Sequence, residues 1–418
     1  MWTRSIGLCA CLSFLLSVNA QDTLRVTMRQ ADSLLMTRSL ALVSQRYQID
    51  QADAERVQAR PFHNPEFSSE WVVGRSGEPL INVGPDGQKV LAVEQLFRIA
   101  GQHSLAVRTA ERHKRVSEAE YAELVAALRL RLHSGAYEQY YVQRSITAIG
   151  SQLALLKELQ ESYGEQYEKG NVSLKAATRL RTAFFALNEQ RVDLLRHLNA
   201  LQQELRQLLV EQRVVIITPS PSELALPPAP SLPTDTLIAL AQRNRPIVQA
   251  ANAAREAAEL DLKLQRRMAV PDLAIGAMYD QASGIHPHQT AVTLGFSIPL
   301  FDRNQGRIRW AEASVGQAAA AAQGTELSVL SEVLHALENL RVLQAQYNEV
   351  SIGLEEQLDE LSESLVENYV RNNIKLLEFT DLFESYNTTI IALNQLRADL
   401  QNAYEELEFA TGQRLFDR

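Results

Sequence analysis

The chain has 418 residues, 46% hydrophobic and 22% charged, with a formal net charge of −9. That length suits two or three ordinary domains, and the acidic balance argues against nucleic acid and an anionic membrane surface as partners. The only cysteines, Cys9 and Cys11, lie in the first twenty residues, so the remainder carries no disulfide.

Residues 1–20 read as a secretory signal peptide. Arg4 supplies the positive start, Ile6 to Val18 is apolar, and Val18-Asn19-Ala20 ends on a small residue before Gln21. Most of the apolar stretch follows Cys11, which does not suit lipidation of Leu8-Cys9-Ala10-Cys11. The run is shorter than the ~20 apolar residues of a spanning helix, and no later segment reaches that length. Entry into a membrane would therefore be as strands of a closed barrel.

Proline is missing between Pro85 and Pro219 and again after Pro299, and these stretches are rich in helix formers. Leucines recur at helical spacing, as in Leu327, Leu330, Leu334, Leu337 and Leu354, Leu358, Leu361, Leu365. Long antiparallel helices of coiled-coil character follow. Four short segments differ: Glu66–Val73, Lys89–Phe97, Asp272–Gln281 and Gln289–Leu300. In the last, Val292, Leu294, Phe296 and Ile298 alternate with Thr293, Gly295 and Ser297, the period of a strand with one apolar face. Gly/Pro-containing loops, Gly74–Gln88 and Ala282–His288, join them as two hairpins, 66–97 and 272–300. Each strand is close to the ~9–11 residues that cross a bilayer at a tilt. Alternation alone fits equally a pair of soluble hairpins capping a helical bundle.

The two halves repeat. Tyr167-Glu-Lys-Gly170-Asn171-Val172-Ser-Leu174 matches Tyr369-Val-Arg-Asn372-Asn373-Ile374-Lys-Leu376; Leu96-Phe97 matches Leu300-Phe301; Pro65 matches Pro271. The first repeat is placed at 21–213 with its tip at 170–174, the second at 235–418 with its tip at 372–376. A Pro-rich linker, 214–234, joins them in the equatorial region. Each hairpin leads into about 70 residues before its tip, a helical arm of roughly 105 Å. Two shorter return segments balance each arm: Val172–Arg213 with Asp235–Met268, and Ile374–Leu415 with Thr23–Arg60.

Four strands cannot close a barrel, and open edges are not tolerated in lipid. Over its whole mature length the chain resembles the TolC family of outer-membrane efflux proteins. The match is carried by the duplicated layout, the turns Gly170-Asn171 and Asn372-Asn373, and the strand exit Gly295-Phe-Ser-Ile-Pro299-Leu-Phe-Asp-Arg-Asn-Gln-Gly306. The wording of that exit resembles the branch serving cobalt–zinc–cadmium-type metal export; the first repeat, Glu94-Gln95-Leu96-Phe97-Arg98-Ile99, departs from it. The resemblance implies a mainly α fold with a membrane β-barrel contribution, in which three chains form a twelve-stranded barrel and a periplasmic helical tube. It implies an exit duct with no enzymatic activity and no cofactor, set in outer-membrane lipid. The implied partners are a periplasmic adaptor and an inner-membrane pump of the resistance-nodulation-division type.

The site expectations follow. Proline cannot donate to a sheet ladder, so Pro299, Phe301 and Gly306 mark the barrel-to-helix transition, with Asp302 or Asn304 capping the next helix. Glu378 and Asp381, spaced i, i+3, are implied by the resemblance to ring the pore constriction, where threefold symmetry favours cations. The first repeat carries Ala176 and Arg179 near the equivalent place; the plain alternative is two exposed acids paired with Lys375 or Arg371. Gly170, Asn171, Asn372 and Asn373 suit a left-handed helix reversal. Val172, Leu174, Ile374 and Leu376 either dock the adaptor or staple the turns internally. His286 and His288 lie in an external loop without further ligands, a poor metal site, and no other metal site is expected. His103, His113, His133, His197 and His335 read as surface or packing residues. The cargo reading is heavy-metal cations, against drugs or other small organic molecules, or a periplasmic coiled-coil structural protein with no pore.

Overall fold

The computed structural model describes residues 23–72, 87–228, 232–282, 286–351, 354–371 and 373–416. The expected signal peptide, most of the first hairpin loop and Asn372 lie outside the described residues. The chain is dominated by helices and carries two antiparallel hairpins and a small parallel sheet. It divides into two compact units, each assembled from three stretches of chain. One takes residues up to Leu35, Gly135–Glu223 and Glu360–Gln395; the other takes Met36–Ser134, Leu224–Asp359 and residues from Leu396 on.

The first unit opens with β1 (Thr23–Thr27) and α1 (Met28–Arg38). It contains the end of α3 (Gln102–Glu168), all of α4 (Leu174–Leu209) and β4 (Val214–Thr218). The 67 residues of α3 form one helix, as the proline-free stretch requires. The sequence reading took Thr23–Arg60 as a helical return and 214–234 as a linker. Instead Thr23–Thr27 is extended and pairs in parallel with β4, Thr23 opposite Val214 through Thr27 opposite Thr218. The reason is local. Val214-Val-Ile-Ile-Thr218 is a run of β-branched residues, and the edge of β4 turned away from β1 is filled by two side chains. Gln202 accepts from Val215 N at 3.0 Å and donates to Val215 O at 2.6 Å. Gln139 accepts from Ile217 N at 3.0 Å and also donates to Val215 O, at 2.7 Å. Two glutamines thus stand where a third strand would otherwise be needed. Further along, Ile149, Leu156 and Leu180 pack with Leu365, Phe379 and Phe383 into one apolar cluster.

The second unit holds α2 (Leu40–Gln58), β2 (Glu66–Trp71), β3 (Lys89–Phe97), α5 (Thr234–Asn244), α6 (Pro246–Arg267), β5 (Leu273–Ala282) and β6 (Pro287–Phe296), together with α7 (Gln305–Ser351). Two helices carry the second repeat onward, α8 (Leu354–Val370) and α9 (Leu376–Thr411). The four hairpin strands fall where alternation placed them, within a few residues at their ends. They form one antiparallel sheet in the order β2-β3-β5-β6. The core here joins Leu237, Ala241 and Val248 to Val329, Val333 and Leu340 and to Leu400, Tyr404 and Leu407. Ala250, Ala253, Ala257, Leu260 and Leu264 supply the buried stripe of α6 at helical spacing.

The expected return helix Asp235–Met268 is broken at Arg245, whose ψ of 122° is extended, because the residue before a proline is pushed out of the helical region. Pro246 then starts α6 at the position where a missing N–H costs nothing. The break is held by a buried guanidinium. Arg245, 3% exposed, reaches Glu123 at 2.7 Å and Glu332 at 2.9 Å, donates to the carbonyl of Phe409 at 3.2 Å and lies 4.2 Å from the Phe409 ring. Glu123 also accepts from the backbone N–H of Ile247. Gly412, at φ +65°, closes the site: a Cβ there would sit 3.0 Å from the backbone N of Arg245. Removing the guanidinium strands Glu123, 16% exposed, while Glu332, 43% exposed, keeps its water, so the cost falls toward the lower end of the ~3–5 kcal/mol of a broken buried pair. Arg245→Met is therefore expected to lower the midpoint of thermal unfolding, followed by circular dichroism, by several degrees. Adding Glu123→Leu to it is expected to recover part of the loss, whereas an unchanged midpoint in Arg245→Met would show that the cluster does not secure the break.

Candidate functional site

Two regions carry the residues singled out in the sequence. In the first unit they are the helix reversals and the side chains just beyond them. Helix α3 ends in a Schellman arrangement: Gly170 N donates to Tyr167 O at 2.9 Å and Asn171 N to Gln166 O at 2.8 Å. Gly170 sits at φ +77°, where a Cβ is costly. The second reversal repeats the outer bond, Asn373 N to Asn368 O at 2.8 Å. It repeats the side-chain bond too, with Asn171 on Gln166 at 2.6 Å and Asn373 on Asn368 at 2.9 Å. Ser173 caps α4 by accepting from Ala176 N.

The apolar tip residues divide. Ile374 and Leu376 are half-buried and pack against the Phe379 cluster, which is the internal-staple role. Leu174 is 60% exposed, and Leu377, which the sequence reading did not single out, is 55% exposed. Val172 is half-buried.

Glu378 and Asp381 are both exposed, and Glu378 falls in the first turn of α9, where a carboxylate complements the helix dipole. Asp381 is not paired as the sequence alternative had it. Its partner is Arg179, at 2.7 Å, which also donates Nε to Thr380 Oγ1 at 2.7 Å. Arg371 pairs with Glu367 on its own helix. Arg179 and Asp381 occupy equivalent positions of the two repeats, with opposite charge. Only the 202-residue offset already seen at Tyr167 and Tyr369 would have pointed to that pair in the sequence. Beside them Tyr163 and Tyr369 share a hydrogen bond between their hydroxyls, and Tyr369 stacks on Phe379 at 4.5 Å. Burial, and after it the bond to Tyr163, holds the Tyr369 phenol protonated well above its ordinary range.

In the second unit the site is the four-stranded sheet. The pairing register sorts its side chains. Phe67, Trp71, Leu91, Val93, Leu273, Ile275, Val292, Leu294 and Phe296 fall on one face, with Lys89, Gln95 and Tyr279 among them. Glu66, Ser68, Glu70, Ala92, Glu94, Gly276, Asp280, Thr293 and Gly295 fall on the other. Every carboxylate in the strands is on that second face, and Glu66 stands directly opposite Glu94. Val292, Leu294 and Phe296 are exposed, and neither β2 nor β6 has a further strand beside it among the described residues.

Past β6 the chain turns about Pro299, with Leu300 N donating to Ile298 O at 2.9 Å. Phe301 is 92% exposed. Asn304, at φ +58°, accepts from the N–H of Ile308 and anchors its amide on the carbonyl of Gln265 at 2.8 Å; Asp302 accepts from Asn304 N. Gly306 lies in the first turn of α7. His286 is exposed, and His288 meets the Tyr279 hydroxyl at 2.7 Å. His133 pairs with Glu405 and His197 with Glu138, while His103 stacks on Phe62. Among the described residues no three metal-ligating side chains gather, and no helix is long and apolar enough to cross a membrane.

Residues 237–413 match the family described as outer membrane efflux protein. The chain is 22% identical over 326 residues to the nickel-cobalt-cadmium resistance protein NccC of Alcaligenes xylosoxydans xylosoxydans, covering 74% of this chain and 70% of that one. Its fold is that of the CmeC outer membrane channel of Campylobacter jejuni, with a TM-score of 0.75 at 13% identity over 93% of this chain and 87% of that one. CusC gives a TM-score of 0.74 at 16% identity, over 93% and 92%.

The tip geometry makes one expectation direct. Asparagine tolerates the left-handed region and stands at the equivalent of Gly170 in the second repeat. Gly170→Asn is expected to keep the thermal midpoint of the purified protein within about a degree. Gly170→Val, a β-branched residue in that region, is expected to cost ~1–2 kcal/mol. Equal midpoints for the two variants would show that the reversal does not depend on the positive φ.

Proposed function

We propose that this chain, which resembles the TolC family of outer membrane efflux proteins, joins its four-stranded sheet with those of two further copies into one barrel and passes metal cations outward. The chain is a channel protein and not an enzyme, as the matched family and fold are those of channels. The observation that carries the proposal is the two-sided sheet with open outer edges. An apolar exposed face suits lipid, and the unpaired backbone groups of β2 and β6 demand strands from other chains, since lipid offers no hydrogen-bond partners. The opposite face carries Glu66, Glu70, Glu94 and Asp280, and a lumen lined by carboxylates favours cations over anions.

The metal reading draws on the likeness to NccC and on the wording of the Ile298–Gly306 exit. In this reading residues 1–20 direct export and are removed, and the two repeats with their 214–234 junction form the mature duct. The protein sits in the outer membrane of a Gram-negative bacterium and extends into the periplasm. Glu378 and Asp381 from three chains ring the periplasmic constriction, with Arg179 holding part of that charge in check. The tips, with Leu174 and Leu377 as their free apolar contacts, receive the adaptor that links the duct to an inner-membrane pump.

Mass measurement in detergent is expected to give three chains per particle; a monodisperse monomer would sink the shared barrel. Glu378→Gln with Asp381→Asn is expected to shift the reversal potential in planar bilayers under a salt gradient toward weaker cation preference, and an unchanged potential removes both residues from the constriction. Leu174→Arg is expected to abolish export in cells while leaving the trimer intact. A deletion strain is expected to accumulate zinc, cobalt, cadmium or nickel, read by elemental mass spectrometry. Sensitivity to organic toxicants without metal accumulation would move the cargo to small organic molecules.

A further inference from the structure

Beyond the Arg179–Asp381 pair, helices α4 and α9 flank a half-open cavity of about 280 Å³. Its polar lining includes Thr182 and Gln190 from α4 and Glu384 and Asn387 from α9. Glu384 and Asn387 are three residues apart, so they share one helical face. Asn387 is 1% exposed, and its side-chain Oδ1 has no hydrogen-bond partner; nor has the buried Oε1 of Gln190. The Asn387 amide is not free to turn over, because its Nδ2 donates to the carbonyl of Phe383 at 2.7 Å and the opposite flip would set oxygen against oxygen. Buried acceptors without a donor are destabilising, so this volume calls for an occupant that offers either hydrogens or positive charge.

Charge narrows the choice. The Arg179 guanidinium at the cavity wall is already engaged by Asp381 and Thr380. Glu384 has no such partner among the described residues, which leaves the cavity with one uncompensated carboxylate. The Thr182 hydroxyl spends its hydrogen on the carbonyl of Arg179 at 2.9 Å and keeps its lone pairs. The available ligands are thus two amide oxygens, a carboxylate and a hydroxyl, with no nitrogen or sulfur. All-oxygen sets of this kind suit hard cations, and calcium accepts amide carbonyls, a carboxylate and completing waters in flexible geometry. A volume of about 280 Å³ has room for such an ion with several waters.

We propose that Gln190, Asn387 and Glu384, with Thr182, bind one partly hydrated calcium ion per chain between α4 and α9. The site uses residues of a single chain, and it holds whatever the cargo is and whether or not Glu378 and Asp381 form the constriction. With one carboxylate the affinity falls in the range of weak sites, Kd on the order of 10⁻⁴–10⁻³ M. A bound ion would tie α4 to α9 just past the reversals, at the height of the Arg179–Asp381 pair.

The test is equilibrium dialysis of the full detergent-purified protein against radioactive calcium, alone and with excess magnesium or cadmium. About one ion per chain is expected. Glu384→Gln and Asn387→Leu are each expected to weaken binding at least tenfold, and Glu161→Gln, an exposed acid of α3 outside the cavity, to leave it unchanged. Asn387→Asp, which adds a second carboxylate, is expected to tighten it. Should Asn387→Leu fail to assemble, Glu384→Gln, an exposed and isosteric change, decides by itself. No binding at 5-fold the weak end of that range (about 5 mM), equal loss in Glu161→Gln, or displacement by cadmium at far lower concentration than calcium would each overturn the assignment. So would a high-resolution map showing only waters in the cavity of calcium-soaked protein.

Discussion

Backbone groups that lack a partner within the local chain govern much of this molecule. Each is met by a different device. At β4 two glutamine side chains complete the edge that β1 leaves open. At the reversals, crossed bonds from Gly170 and Asn171 take up the last carbonyls of α3, and Asn373 does the same after α8. Among the described residues the outer edges of β2 and β6 receive no such device. An edge left open beside an apolar exposed face is a demand for another chain, and the proposed trimer follows from that demand more directly than from any single residue.

Charge is handled with similar economy. Arg245 is buried where a helix breaks, and its cost is met by two glutamates, two carbonyls and a ring face. Such a cluster adds little net stability over a hydrophobic equivalent, and it leaves the buried Nε of Arg245 without a hydrogen-bond partner among the described residues. The carboxylates of the sheet are treated differently. Glu66 and Glu94 face each other without a basic neighbour on that face, an arrangement that like charges disfavour unless cations or water stand between them. A water-filled lumen carrying cations meets that condition.

The duplication gives the first unit its character. One pair of equivalent residues meets there with opposite charge, Arg179 with Asp381; the hydroxyl bond joins residues that are not equivalent, since the counterpart of Tyr369 is Tyr167 and that of Tyr163 is Leu365. The cavity beyond them is likewise built from one helix of each repeat.

The long helices, the four strands to within a few residues and the reversals are legible in the sequence. These depend on periodicity, proline placement and turn residues, all of which act over short stretches of chain. The strand pair β1–β4 and the break at Arg245 were missed: β4 is too short for a period, and the cost of Pro246 is set by whatever receives Arg245. That Asp381 meets Arg179 instead of Lys375 or Arg371, and that Leu376 is half-buried against the Phe379 cluster while Leu174 is exposed, emerges only from the folded chain. It alone left Gln190 and Asn387 with unpaired oxygens in a cavity. The physical reason is common to all of these. Local propensity fixes which backbone forms, but the partner of a side chain is chosen by residues about two hundred positions away, and that choice has no local signature.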